Sequence, residues 1–380
     1  MDTLTHALSG ALLARAICVR APAVAPVAPP AAPPVGRFAA AWDGRAGALA
    51  PWQAVAAGTL AAAFPDLDFV VGWAGEMAYL RHHRGATHSL LLAPLWAWLL
   101  ALLMSRWFAT TRAQPGGWKG LYVIVLAAIV VHIAGDWITQ FGTMLLSPLS
   151  NARFGLGAMF IIDLVFSGVL IVALLLAAVW PRRRWPAWAG LALAAAWVAL
   201  AWDARQDALD AGRQHAQRAG IAAVEVDAMP RPASPFNWTV TVYDGDRYHV
   251  TDLNTRRREP LVARPDDHFV RRLSAPYAPV AQATWRTLPR FGDDGDAAWA
   301  REAWQHEALA TYRWFAAAPV LVQASERRGA DGGVERCAVF GDLRFAFPGR
   351  DEAPFRYGVC LNGDRAATLV KLEGGVLNPV

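Results

Sequence analysis

The sequence predicts an α-helical polytopic membrane bundle of about six helices, followed by a soluble α+β or mostly β C-terminal domain. Three observations carry this. Of 380 residues, 55% are hydrophobic and only 18% are charged. That is too apolar for an ordinary soluble enzyme, a disordered chain or a nucleic-acid-binding protein. Four stretches, 89–108, 119–140, 158–180 and 186–203, are rich in Leu, Ala, Val and Trp. Each is roughly 18–23 residues, about what a helix needs to cross a ~30 Å hydrocarbon core. The charge is also uneven. Residues 1–204 carry 13 Lys+Arg against 8 Asp+Glu, a net of +5, whereas residues 205–380 carry 23 of each, a net of zero. The basic excess therefore reads as loop charge that orients membrane helices, and no nucleic-acid partner is expected.

In chain order, residues 4–19 and 49–64 are shorter, Ala-rich helices. The start, Met1-Asp2-Thr3, has no basic region and does not read as a cleaved signal peptide. Asp2 or Thr3 can cap the first helix instead. Residues 21–35 contain only Ala, Pro and Val, and 21–48 reads as an extended linker insertion. The helical membrane domain is placed at 1–204 and a connecting polar helix at 205–226. A soluble extracytoplasmic domain follows at 227–380. In that domain Trp238–Tyr243, the turn Asp244-Gly245-Asp246 and Arg247–Thr251 read as a β-hairpin. Residues 298–315 read as helical, and 334–347 and 355–371 alternate like strands. Three cysteines, Cys18, Cys337 and Cys360, exclude a disulfide framework and a thiolate zinc finger. Cys337 and Cys360 can pair in an oxidising compartment or stay as two buried thiols.

Six helices with the N-terminus on one face place nine loop arginines and lysines on the opposite face. They leave three, Arg81, Arg84 and Arg153, on the first. The positive-inside rule makes the first face extracytoplasmic, and the C-terminal domain lies there as well.

The apolar half holds few ionisable groups: His6, Asp66, Asp68, His82, His83, His88, His132, Asp136 and Asp163. Such groups are costly in membrane segments and mark functional interiors. His132 and Asp136 are four apart and share one helix face. Asp66 and Asp68 follow a helix ended by Pro65, and His83 and His88 flank a Gly just before a helix. The six-helix topology puts all of these groups at one membrane surface. Imidazole and carboxylate form a ligand set for zinc, manganese or iron with open positions. The expected ligands are His6, Asp66, Asp68, His83, His88, His132 and Asp136, holding a divalent metal, zinc first. Asp68 or Asp136 is the expected general base. Asp163 reads as a ligand or as a support for one. Arg84 and Arg153 suit an anionic substrate group or interfacial snorkelling. His82 reads as a solvated neighbour. There is no Gly-rich phosphate loop and no Gly-x-Ser-x-Gly nucleophile elbow.

Four motifs in order carry a resemblance: Met1-Asp-Thr-Leu-Thr-His6, Phe64-Pro-Asp-Leu-Asp68, His83-Arg-Gly-Ala-Thr-His-Ser89, and His132-x3-Asp136-Trp-x-Thr-x-Phe-Gly-Thr143 with Pro148. Over roughly residues 1–165 the chain resembles the membrane-bound metal-dependent hydrolase family, also called the LexA-binding, inner-membrane-associated hydrolases. The resemblance implies that the matching His and Asp residues bind metal. It also implies a multi-pass protein of the bacterial inner membrane, and the loop charges above then put its C-terminal domain in the periplasm. The tail, with Asn237-Trp238 and Asp342-Leu-Arg344, resembles longer members.

The expectation is a metal-activated water attacking a lipid-like or phosphoester substrate, with membrane lipid as partner. The rival is a metal-stabilised scaffold, sensor or metal carrier without catalysis, whose site would be coordinatively closed. An ion transporter would place carboxylates near the bilayer midplane, whereas these lie near helix ends.

Overall fold

Asp2 starts the first helix: its carboxylate accepts from Thr5 N–H, so one orphan donor of the first turn is satisfied. In the computed structural model, residues 1–18, 49–112, 117–328, 333–362 and 367–380 are described. The predicted linker at 21–48 lies outside the described residues. Helices α1 (Thr3–Ile17), α2 (Pro51–Ala63), α3 (Glu76–His82), α4 (Ala93–Trp107), the short α5 (Ala109–Arg112), α6 (Trp118–Trp137), α7 (Leu164–Val179) and α8 (Trp185–Ala219) follow in order. A 3-10 stretch, Pro65–Ala74, continues from α2.

A helix therefore stands at each of the six positions the hydropathy marked. Among the described residues, three segments are long and apolar enough to cross a membrane: Pro51–Ala74, Trp118–Trp137 and Trp185–Ala219. The number becomes four if the bent pair Glu76–His88 and Ala93–Trp107 is one broken span. At 15 and 16 residues, α1 and α7 are shorter than the usual ~20-residue span. Asp163 caps α7 at its start, and the chain leaves it at Trp180 just before Pro181.

The chain divides into two compact units. The first comprises Met1–Asp68, Arg84–Leu156 and Ile161–Ala199. Its centre is α6, which buries Leu121, Ile124, Val125, Ala128, Ile129, His132, Ile133 and Asp136. These positions form one helical stripe, so His132 and Asp136 are carried inward by the same periodicity that buries the apolar residues. α1 and α2 meet through glycine. A Cβ on Gly10 would sit 2.3 Å from Gly58 O, and one on Gly58 would sit 2.5 Å from Gly10 O. Ala14 and Ala62, four residues on in each helix, complete a small-xxx-small contact. Apolar side chains face outward instead, among them Val123, Val172, Leu175 and Leu193. Large apolar residues outside and small residues inside suit a helix bundle solvated by lipid.

The second unit comprises Phe69–His83, Gly157–Phe160 and Leu200–Val380. α8 ends at Ala219, where Gly220 takes φ +66°, and strand β1 (Glu225–Pro230) follows. The first sheet runs β1, β2 (Asn237–Tyr243), β3 (Arg247–Asn254) and β4 (Ala278–Pro279), with β5 (Arg286–Pro289) also on β3. The predicted hairpin is β2 and β3, with Gly245 at φ +105° in its turn. The second sheet is β10 (Val376–Pro379), β9 (Ala367–Glu373), β8 (Tyr357–Leu361), β7 (Val334–Asp342) and β6 (Pro319–Arg328). Cys337 and Cys360 lie opposite each other on β7 and β8 and form a disulfide.

Arg231 ties this unit together. It is fully buried and donates to Thr239 Oγ1 at 2.6 Å and to the carbonyls of Arg344 (2.8 Å), Leu343 (2.9 Å) and Ala346 (3.1 Å). Burial pulls its guanidinium down to about 10, which leaves it charged at neutral pH. Arg231→Met removes these donors and orphans three carbonyls. We expect a loss of about 3–5 kcal/mol, read as an earlier thermal transition of the β-rich unit. An unchanged transition would show that water replaces the guanidinium.

Candidate metal centre

The centre is built where α2 ends. Pro65 stops α2, leaving carbonyls of its last turn without intrahelical partners. One of them, Ala62 O, accepts from His132 Nδ1 at 2.6 Å. A carbonyl has no proton to give, so the hydrogen is on Nδ1 and the Nε2 lone pair faces inward. His88 is fixed in the same way from the other side. Thr87 Oγ1 gives its one proton to Asp68 Oδ2 at 3.2 Å, so its oxygen accepts from His88 Nδ1 at 3.0 Å. Asp68 Oδ2 also lies 3.3 Å from His88 Nδ1. The Nε2 atom of His88 therefore also faces inward.

The two Nε2 atoms are 3.0 Å apart. At that distance the two nitrogens share one electropositive partner, either a proton on His88 Nε2 donated to His132 Nε2 or a metal cation in its place. Carboxylate oxygens surround them. Asp136 Oδ2 is 3.1 Å from His88 Nε2 and 3.6 Å from His132 Nε2. Asp66 Oδ1 is 3.8 Å and 3.7 Å from the same atoms. His6 stacks on His132 with ring centroids 3.7 Å apart, and its Nε2 lies 3.1 Å from Asp136 Oδ1. One ligand atom each from His6, Asp66, His132 and Asp136 falls within 4.8 Å of all the others. His88, His132 and Asp136 are fully buried, whereas the Asp66 side chain keeps 16% of its surface.

Asp136 divides its oxygens. Oδ1 meets the Met1 amino group, His6 Nε2 and, at 2.9 Å, Arg84 Nη2. Oδ2 is buried with no hydrogen-bond donor and faces the imidazole pair. A buried carboxylate oxygen aimed at two imidazole Nε2 atoms suits a divalent cation.

Arg84 is held at both ends. Its backbone N–H donates to Asp68 Oδ2 at 2.8 Å, and Nη1 donates to Thr139 Oγ1 at 3.1 Å. Its φ of +59° is left-handed, a conformation that costs a residue with Cβ about 1–2 kcal/mol. Here that turn aims the N–H at one carboxylate and the guanidinium at the other. Arg84 and Arg153 both lie over the Phe141 ring, at 4.8 and 4.9 Å. Arg153 Nη2 donates to Gly142 O.

The expected site residues are thus placed as follows. His6, Asp66, His88, His132 and Asp136 converge. Asp68 holds the outer nitrogen of His88 and the Arg84 amide. Asp163 caps α7 through Phe166 N–H and accepts from Trp197 Nε1 at 3.0 Å. His83 is half-buried and stacks on Tyr79 at 4.5 Å, and His82 is exposed. Thr3 and Thr87 read from the sequence as helix caps, whereas their hydroxyls donate to Asp66 Oδ2 at 2.6 Å and Asp68 Oδ2 at 3.2 Å. Both hydroxyls sit inside the quoted motifs, and that position was the available signal.

A family model described as YdjM inner membrane protein matches residues 1–208. The uncharacterized protein YfhP of Bacillus subtilis (strain 168) is similar, 27% identical over 93 residues. That match covers 24% of this chain and 27% of the relative, so the chain spans about a quarter of the relative's length. No solved structure matches.

Proposed function

Because this chain belongs to the YdjM inner membrane protein family, we propose that it is a metal-dependent hydrolase of the inner membrane, acting on a lipid-like or phosphoester substrate. The observation that carries the reading is the pair of inward Nε2 atoms 3.0 Å apart, ringed by Asp66 and Asp136 oxygens. His6, Asp66, His88, His132 and Asp136 would hold a divalent cation, zinc first by its ligand set. Such a cation supplies Lewis acidity and a bound water acidified toward neutral pH.

The chain's own residues do the rest. Asp68 and the Ala62 carbonyl keep the two imidazoles in one tautomer and orientation. Asp68 is thereby a positioning residue. Asp66 is the candidate ligand with solvent exposure, and Thr3 holds its Oδ2, so we assign it the side of the centre that an attacking water enters. Arg84 Nε, buried with no hydrogen-bond partner, is the group we assign to an anionic oxygen of the substrate. Full burial of His88, His132 and Asp136 also suits a closed metal site in a scaffold, sensor or carrier.

Six crossings, with α1 and α7 as short spans, would bring His6, Asp66, His88 and Asp136 to one membrane surface. The positive-inside count makes that surface periplasmic, and the Cys337–Cys360 disulfide supports an oxidising compartment for the C-terminal domain.

The test is turnover of a panel of membrane phosphoesters and lipid esters by the full chain in nanodiscs, reloaded with zinc, manganese or iron. We expect head-group release, lowered at least about 10–100-fold by Asp66→Asn, which weakens a candidate ligand. A fully loaded chain that turns over nothing with any of the three metals contradicts hydrolysis and supports the closed site.

A further inference from the structure

A groove among α1, α6, α7 and α8 opens a cavity of ≈ 300 Å³ in the helical unit. Ala134 and Ile138 of α6, Phe166 and Leu170 of α7, and Leu191 and Ala194 of α8 line it. We propose that this groove holds one alkyl chain of a membrane lipid whose polar head reaches the His/Asp cluster. The proposal rests on the reading that the cluster acts on a membrane amphiphile.

The polar inventory of the groove excludes water as its natural filling. Ser9 is the one polar side chain in the lining, and its hydroxyl already donates to Thr5 O at 2.8 Å within its own helix. An ordered water needs two to four polar partners, and the walls provide none. A helix is about 10 Å across with its side chains and does not fit a cavity of this volume, whereas a single alkyl chain does. The walls on α6 and α8 belong to segments of membrane-crossing length, so the bilayer is the source of that chain.

One wall of the groove packs against the cluster. Met1 and Gly135 are lining residues. A Cβ on Gly135 would meet His6 Cε1 at 3.0 Å and Met1 Sδ at 3.2 Å. One glycine is therefore the wall between the apolar groove and a candidate ligand imidazole. The next residue, Asp136, takes the His6 Nε2 contact at 3.1 Å. An apolar slot walled by the residue that packs on His6, next to an Asp136 paired with the Arg84 guanidinium, has the polarity profile of an amphiphile with an anionic head.

The experiment uses the full chain in nanodiscs doped with phosphatidic acid carrying a mid-chain diazirine, with zinc measured in the same samples. We expect labelling concentrated on α6, α7 and α8 peptides that contain Ile138, Leu170 and Ala194. Ala194→Phe fills the slot and should cut that labelling about tenfold while zinc content stays unchanged. Ala195→Phe, at an exposed lining position that tolerates bulk, is the second variant and should lower it in the same direction. A long-chain unlabelled lipid should compete, and a short-chain lipid with the same head should not. Labelling spread evenly over the outer helices, or unchanged in both variants, overturns the proposal. Groove labelling in a wild type that retains no zinc sinks the hydrolase reading and leaves the groove assignment standing.

Discussion

Replacing His132 by alanine is expected to strip the chain of bound metal, from near stoichiometric to under about a tenth, and His88→Ala should do the same. Each imidazole offers an inward Nε2 and is locked from behind, His132 by Ala62 O at 2.6 Å and His88 by Thr87 and Asp68. A replacement cannot be supplied by rotation of a neighbour, because His6 is already stacked on His132 and directed at Asp136. Asp68→Ala is expected to weaken metal affinity about 10–100-fold without abolishing it, since it frees the outer nitrogen of His88 and leaves the inner one in place. Metal content by mass spectrometry on detergent-purified wild type and variants checks all three. Full occupancy in His132→Ala would mean that the metal is held elsewhere.

Gly58→Val should be among the most damaging single changes in the bundle outside the cluster. Its Cβ alone would lie 2.5 Å from both Gly10 O and Ala14 Cβ, backbone and helix core that cannot swing aside. α1 and α2 must separate, at about 1–3 kcal/mol or more for an overpacked core. The damage reaches the site. Ala62 packs on Gly10, and its carbonyl orients His132; His6 is one turn from Gly10 on α1. Thermal unfolding and zinc affinity should fall together. Gly168→Ala on α7 is the control: a Cβ there meets nothing within 4 Å, so the change should be neutral or slightly stabilising. Unchanged zinc affinity in Gly58→Val would uncouple the helix crossing from the site.

Local pattern made much of this legible. The i, i+4 pair His132 and Asp136 could be put on one helix face because period 3.6 is a property of the chain itself, and both prove to be on the buried stripe of α6. Asp244-Gly245 announced the β2–β3 hairpin because few turns accept φ +105° without glycine. What escaped the sequence depends on contacts that no spacing encodes. Asp66 and Asp68 look equivalent in Pro65-Asp-Leu-Asp68, yet one faces the imidazole pair and the other holds His88 from behind, because a 3-10 stretch turns them apart. Phe69–His83 reads as a loop of the membrane half, yet it belongs with the β-rich unit. There Glu76 accepts from Tyr357 and, at 2.5 Å, from Lys371, both nearly 300 residues away. The burial of Arg231 is likewise invisible locally, since its acceptors at 343, 344 and 346 come from more than 100 residues downstream.

X-ray absorption at the zinc edge of the reconstituted full chain tests the central claim most directly. The structure predicts a first shell of nitrogen and oxygen, with the outer-shell scattering of at least two imidazoles and no sulfur. A shell of oxygen alone, or one containing sulfur, would contradict a centre built from His6, His88, His132, Asp66 and Asp136.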